Sequence, residues 1–276
     1  MTAAPYSWLL LAGIAVSLAF WSRIARRDER LLIIYVAALV SAFLGAKVVY
    51  LAAEGWMFWN SPDRWMIWAT GKTILGALLG GYAGVELAKQ LTGYAQPTGD
   101  WFALIAPVGI MLGRVGCLLH GCCLGRECAP HLWTLHDAHG IPRWPAVPAE
   151  IGFNVVALGV FLALRGSTPP ASSFSSSSSP AFSLPTGAEE GDGDEEKEKE
   201  ADRRRTFLRG QHFHLYLIGY GLFRFAHEFF RATPRVGFGL TGYHFAAASV
   251  AGLGAWGFLR RRAAGARADR PPGALR

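Results

Sequence analysis

Residues 101–128 read WFALIAPVGIMLGRVGCLLHGCCLGREC. The first twelve are almost purely apolar. Arg114 then puts a permanent charge where hydrocarbon should continue, and Cys117, His120, Cys122, Cys123 and Cys128 gather behind it. A helix needs about 20 mostly apolar residues to cross the hydrocarbon core of a bilayer, so 101–120 reads as a membrane span with a charge inside it. The composition agrees. Of 276 residues, 51% are hydrophobic and 17% charged, with ten Trp and thirty-three Gly. That is too apolar and too glycine-rich for an ordinary soluble enzyme, and it fits helices that approach closely in lipid.

Outward from this stretch, six further runs of comparable character lie at roughly 6–22, 31–53, 73–91, 147–165, 212–230 and 240–259. The expected fold class is therefore all-α, a polytopic integral membrane protein of seven transmembrane helices. The first run lacks a basic leader and a small-residue cleavage site, and it reads as a true span rather than a signal peptide. Basic clusters set the orientation: SRIARRDER after the first span, RRR at 203–205 and RRRAAGARADR after the seventh. Seven crossings put all three on one face, which the positive-inside rule makes cytoplasmic. The N-terminus is then extracytoplasmic, the C-terminus cytoplasmic, and the loops 54–72 and 121–146 lie outside. The net charge of +7 sits in these clusters and not along an aromatic-studded stripe, so no nucleic-acid partner is expected.

The domain organisation follows. Residues 1–165 carry five helices of a single domain and 211–260 the last two. Between them, 166–210 runs from Ser and Pro tracts into nearly all-charged sequence, which cannot bury enough apolar surface to offset ordering entropy and reads as a disordered cytoplasmic linker. Residues 261–276 form a basic cytoplasmic tail.

Polar residues inside the spans carry the functional argument. In the third span, Gly76, Gly80, Gly81 and Gly84 recur every three to four residues, the small-residue pattern that allows close helix contact. Glu86 and Lys89 are three apart near its inner end and pair or reach the interface, while Lys72 snorkels at the outer end. In the sixth span Arg224 and Glu228 are four apart on one helical face, with His227 and Arg231 nearby. An ionisable group in a membrane is expensive and faces a partner or a wet cavity, which makes it a functional-site candidate; the alternative is an Arg–Glu pair that holds the bundle together. Arg114 and Arg224 both sit toward the extracytoplasmic ends of their helices. Two guanidinium forks converging there suit a phosphate, and the natural phosphate at that depth is a phospholipid headgroup.

The cysteines do not follow zinc-finger or ribbon spacing, and adjacent Cys122 and Cys123 rarely fit one tetrahedral site without strain. On an oxidising face a disulfide from Cys128 to Cys122 or Cys123 is preferred over a metal, with free thiols and small packing residues as the remaining readings. No metal and no cofactor is expected.

The stretch GRVGCLLHGCCLGR resembles the signature of prolipoprotein diacylglyceryl transferases, G-R-x-G-N-F-x-N-G-E-x-x-G-R, at Gly113, Arg114, Gly116, Gly121, Gly125 and Arg126. Four more segments resemble the same family in order: Tyr6 and Gly13 in PYSWLLLAGI, ILGALLGG for F-H-G-G-L-x-G, RWPAVPAE for R-H-P-x-Q-L-Y-E, and FRFAHEFFR for R-F-x-x-E-x-x-R. The resemblance implies a seven-span enzyme of the bacterial inner membrane. Such enzymes take the diacylglyceryl group of phosphatidylglycerol and attach it by a thioether to the lipobox cysteine of a prolipoprotein signal peptide, releasing glycerol phosphate. The implied partners are phosphatidylglycerol, that signal peptide and the bilayer.

Carried over residue by residue, the resemblance assigns catalytic roles to Arg224, Glu228, Glu150 and Tyr6, and phosphate binding to Arg114 and Arg224. Glu228 would orient Arg224, and Glu150 and Tyr6 would complete the polar cavity. His120 and His227 are weak candidates for a general base. The chain departs from the pattern elsewhere. The family's first-half histidine falls on Leu75, its signature asparagine on Cys117, its N-G-E glutamate on Cys122, a histidine and tyrosine on Trp144 and Ala149, and a span-seven glutamine on His244. These substitutions remove proton-handling groups and spare the arginines. A noncatalytic phospholipid-binding protein, or a transferase acting on another thiol, is accordingly the alternative.

Overall fold

The computed structural model describes residues 4–26, 28–166, 208 and 210–268. Among them, the helices are α1 (Ala4–Ala25), α2 (Arg30–Ala53), α3 (Arg64–Thr70), α4 (Ile74–Thr92), α5 (Gly99–His120), α6 (Ala146–Gly166), α7 (His212–Glu228) and α8 (Gly242–Ala268). A 3-10 turn covers Gly55–Phe58, and a short hairpin of β1 (Leu135–His136) and β2 (Pro142–Arg143) lies between α5 and α6. Each apolar run read from the sequence falls on a helix. Three stretches, Arg30–Ala53, Gly99–His120 and Ala146–Leu164, are long and apolar enough to cross a membrane by length and composition. The expected linker at 166–210 lies almost wholly outside the described residues, and the first part of the expected tail continues α8.

The exterior is apolar, and the interior holds a buried charged cluster beside its apolar core. Ile33, Val40, Phe43 and Val48 of α2 and Val155, Val156 and Val160 of α6 are exposed, whereas Arg114, Glu150, Arg224 and Glu228 are buried. Contiguous exposed hydrocarbon of this kind marks a surface that water does not cover.

The glycine stripe of the third span does what its spacing predicts. A Cβ on Gly76 or Gly80 would run into the α2 backbone at Gly45 or Ser41, and one on Gly84 into the Ser41 side chain. Gly81 meets Ala42 and Ala38 only at ordinary contact distance, so three of the four form the tight seam between α2 and α4. Gly221 plays the same part between α7 and α8, against Ala247 and Ala251.

One contact sets the depth at which the buried charges meet. Asp100, in the first turn of α5, accepts from the Gly210 N–H at 2.8 Å and lies 2.9 Å from His212 Nδ1, so α5 and α7 start at the same end. Arg114 lies 14 residues beyond Asp100 and Arg224 12 beyond His212. At about 1.5 Å per residue both arginines stand roughly 20 Å along their helices. α6 returns antiparallel from the far end, which brings Glu150, one turn from its start, to the same level.

At that end α5 stops at Gly121, whose φ of 68° is one a side chain rarely adopts. The Cys122 N–H bonds the Cys117 carbonyl and the Gly121 N–H that of Leu118, each at 3.1 Å, which is the Schellman arrangement. The following loop is stitched across the bundle: Gly125 N–H donates to Trp144 O, Trp144 N–H to Arg126 O, and Arg126 N–H to Phe230 O. A Cβ at Gly125 would strike the backbone of Trp144. Trp144 stacks on Phe230 with ring centroids 4.7 Å apart, closing this layer over the helix ends.

The stretch 54–72, expected as a plain loop, is structured. Lys47 Nζ donates to the carbonyls of Trp68 (2.6 Å), Ala69 (2.6 Å) and Gly71 (2.8 Å), satisfying the open end of α3. Trp56, Trp59 and Trp65 stay exposed beside it, the placement of aromatic side chains at a membrane–water boundary.

Candidate functional site

Two ion pairs form the centre of the bundle. Arg114 Nη2 lies 2.8 Å from Glu150 Oε2, and Arg224 Nη1 lies 2.7 Å from Glu228 Oε2, with all four side chains buried. The second pair is the four-residue spacing on α7 read from the sequence; the first joins α5 to α6. Arg231, one turn past Glu228, adds Nε at 3.5 Å from the same Oε2. Glu228 Oε1 takes hydroxyl donors from Thr233 and, at 3.3 Å, Thr241. Glu150 Oε1 accepts from Tyr220 at 2.6 Å, and Tyr216 and Asn154 continue the network behind it.

These groups act as one electrostatic unit: Arg114, Arg224 and Arg231 all bear on Glu150. Three guanidinium groups against two carboxylates leave one positive charge over. Arg231 registers the excess, since burial first, and then the charges of Arg224 and Arg114, push it below the usual guanidinium range. Arg114 Nε and Arg231 Nη1 are buried without an acceptor. A buried donor left unpaired costs about 1–3 kcal/mol, so the cluster is built for an anion whose oxygens take those N–H groups.

The chain's similarities bear on which anion. The sequence model of the family described as prolipoprotein diacylglyceryl transferase matches residues 2–179. The chain belongs to this family. The phosphatidylglycerol–prolipoprotein diacylglyceryl transferase 2 of Clostridium perfringens is 28% identical over 177 residues, 58% of this chain and 68% of that protein. The enzyme of that name from Azospirillum brasilense is 28% identical over 133 residues, 46% of the chain and 50% of the relative. That from Pseudoalteromonas atlantica is 24% identical over 225 residues, 80% of the chain and 65% of the relative. The chain thus spans from half to about two thirds of the length of these relatives. No solved structure matches it.

Against the residues the transferase family resemblance singles out, the structure sorts as follows. Arg114, Glu150, Arg224 and Glu228 come together. Arg114 and Glu150 lie inside the family-matched span and Arg224 and Glu228 beyond it. Tyr6 lies on α1, and its side chain is outside the described residues. Leu75 is fully buried in the apolar core that also holds Ile110, Tyr220 and Tyr243. His120 is exposed at the end of α5, whereas His227 is buried, stacked on Phe223 at 5.1 Å, with neither ring nitrogen hydrogen-bonded. His244 accepts the Thr241 N–H at 3.0 Å and backs the Glu228 end of the cluster. Gly125 and Arg126 of the signature serve the roof loop.

Sequence reasoning did not reach Tyr220, Thr241 or Asn154. Tyr220 and Asn154 belong to ordinary apolar helix patterns, Thr241 stands just before α8, and none carries a charge to mark it. Arg231 was visible in FRFAHEFFR as the third charged position, but its share in the cluster depends on the turn after α7. For the cysteines the disulfide reading fails and the free-thiol reading holds. All four are free thiols, with no disulfide to Cys128, and the sulfurs of Cys117, Cys122 and Cys123 lie within 4.8 Å of one another.

Proposed function

We propose that the chain is a multi-pass transferase of the bacterial inner membrane that binds phosphatidylglycerol through its phosphate. It moves the diacylglyceryl group to the lipobox cysteine thiol of a prolipoprotein signal peptide. The carrying observation is the buried arginine cluster with one surplus charge and two unpaired N–H donors, in a member of this family. In this reading seven helices cross the bilayer, with α3 at the interface, the N-terminus outside and the C-terminus in the cytoplasm.

Arg114 and Arg224 hold the phosphate, joined by Arg231. Glu150 and Glu228 aim Arg114 and Arg224, and Tyr6 is assigned to the same site by the family resemblance alone. As the glyceryl C–O bond breaks, negative charge grows on the phosphate oxygen, and positive groups fixed in advance at that point stabilise the transition state. The acceptor sulfur attacks best as a thiolate.

A second reading is favoured by Leu75, Cys117 and Cys122 at the family's polar positions: lipid binding without transfer, or transfer to another thiol. Expression in cells depleted of their own transferase separates the readings. Lipid-modified prolipoprotein, detected by mass spectrometry, is the expected result, lost in Arg114→Ala and Arg224→Ala. Headgroup binding without modification would establish the second reading, and unchanged transfer by both variants would sink the site.

A further inference from the structure

Adjacent cysteines argued against a metal on spacing alone, and the backbone answers that objection. In the Schellman turn at Gly121, the residue after the glycine folds back over the residue four before it, which makes Cys117 and Cys122 contact partners. Cys123 then adopts φ 62°, a left-handed conformation that costs a side-chain-bearing residue on the order of 1–3 kcal/mol. This returns the third sulfur to the other two. A tetrahedral zinc ion with Zn–S bonds of about 2.3 Å holds its sulfurs about 3.8 Å apart. Sulfurs already within 4.8 Å need close by at most about 1 Å to reach that spacing. Arg114 Nη1 lies 4.0 Å from Cys117 Sγ, so one guanidinium links the three sulfurs to Glu150 and the anion cluster.

We propose that Cys117, Cys122 and Cys123 bind one zinc ion as thiolates, leaving its fourth position to the acceptor thiol of the transfer reaction. The metal site stands on the sulfur geometry; the role of its fourth ligand rests on the transferase reading above. Three protein ligands and one open position is the pattern of a catalytic zinc, and a thiol that coordinates zinc loses its proton outright. The balance is simple. The acceptor thiol releases its proton to water and its sulfur binds zinc as thiolate. The sulfur attacks the glyceryl carbon bonded to the phosphate; the C–S bond forms, the C–O bond breaks, and the electron pair leaves on the phosphate oxygen as glycerol phosphate. Nothing is oxidised or reduced. The ion does the work of the proton-handling groups that Leu75, Cys117 and Cys122 replace.

The test uses the full chain, purified in detergent from zinc-supplemented cells, with metal content read by mass spectrometry. Wild type carries one zinc per chain. Cys117→Ser, Cys122→Ser and Cys123→Ser each lower it at least tenfold, and Cys128→Ser retains it. Because a serine variant can misfold, wild type stripped of metal is also titrated with Co2+, which gives a thiolate-to-cobalt charge-transfer band. Absence of both zinc and band, copper in place of zinc, or a disulfide among the three sulfurs in the purified protein overturns the proposal. Phosphatidylglycerol binding is measured on the same samples. Arg224→Ala keeps zinc and loses the lipid; if it keeps both, the phosphate reading fails while the zinc site stands.

Discussion

At the scale of single residues, Glu228 carries the most connections: it faces Arg224, Arg231, Thr233 and Thr241 at once. Glu228→Gln keeps the shape and removes the charge, leaving a surplus of two positive charges in a dry site. Removing one partner of a buried pair costs about 3–5 kcal/mol, so thermal unfolding of this variant in detergent should drop sharply, and added anionic lipid should restore more stability than it adds to wild type. Tyr220→Phe deletes only the bond to Glu150. A loss of about 1–3 kcal/mol is expected from that acceptor's incomplete satisfaction, with transfer slowed less than in any arginine variant. Legibility differs between these residues for a physical reason. A charge in hydrocarbon is conspicuous in any sequence, so Arg114, Arg224 and Glu228 stood out, whereas a tyrosine is as much at home in an apolar core as in a polar network.

At the scale of elements, the seam of α2 and α4 and the roof over the helix ends make separate predictions. At the seam, Gly80→Leu puts a side chain into the α2 backbone. Overpacking of a tight core costs about 1–3 kcal/mol, and here the helices must part, so the variant should unfold at lower temperature while Gly81→Ala, whose Cβ meets α2 only at ordinary contact distance, leaves the midpoint unchanged. In the hairpin, Asp137 accepts first from the Ile141 N–H, then from His139 and the Arg143 side chain, which hold its carboxyl below the ordinary range. A lowered folded-state value means support for the hairpin is full above the unfolded carboxylate value and is lost as the pH falls through the folded one. Protection of the Ile141 amide, measured against its intrinsic exchange rate at each pH, should therefore fall in acid for wild type and be low at every pH in Asp137→Asn. The small-residue stripe was readable because close packing needs its period. The Schellman turn was not read from the sequence, since metal-site spacing rules count residues along the chain and not the fold-back at Gly121 that brings Cys122 to Cys117. The φ of Cys123 had no sequence signal.

At the scale of the whole molecule, the three basic segments predict one face and the roof loop the other. A reporter fused after residue 262 should behave as cytoplasmic, and a thiol introduced at His139 should react with a membrane-impermeant reagent from outside; the reverse pattern contradicts the proposed orientation. Helix order and the mostly helical class were legible because hydrocarbon thickness fixes the length of each apolar run, whereas the β1–β2 hairpin was not expected. The meeting of Arg114, Glu150, Arg224 and Arg231 was not, since it depends on Asp100 tying the starts of α5 and α7 together across 110 residues of sequence. The whole reading comes to one reaction, measured with the protein in lipid nanodiscs of phosphatidylglycerol and a synthetic lipobox peptide. Wild type should release glycerol phosphate in step with a peptide mass gain of one diacylglyceryl group, and Arg114→Lys with Arg224→Lys, which keep the charge and lose the planar fork, should fall by at least a hundredfold. Release and mass gain at wild-type rates in that double variant would contradict it.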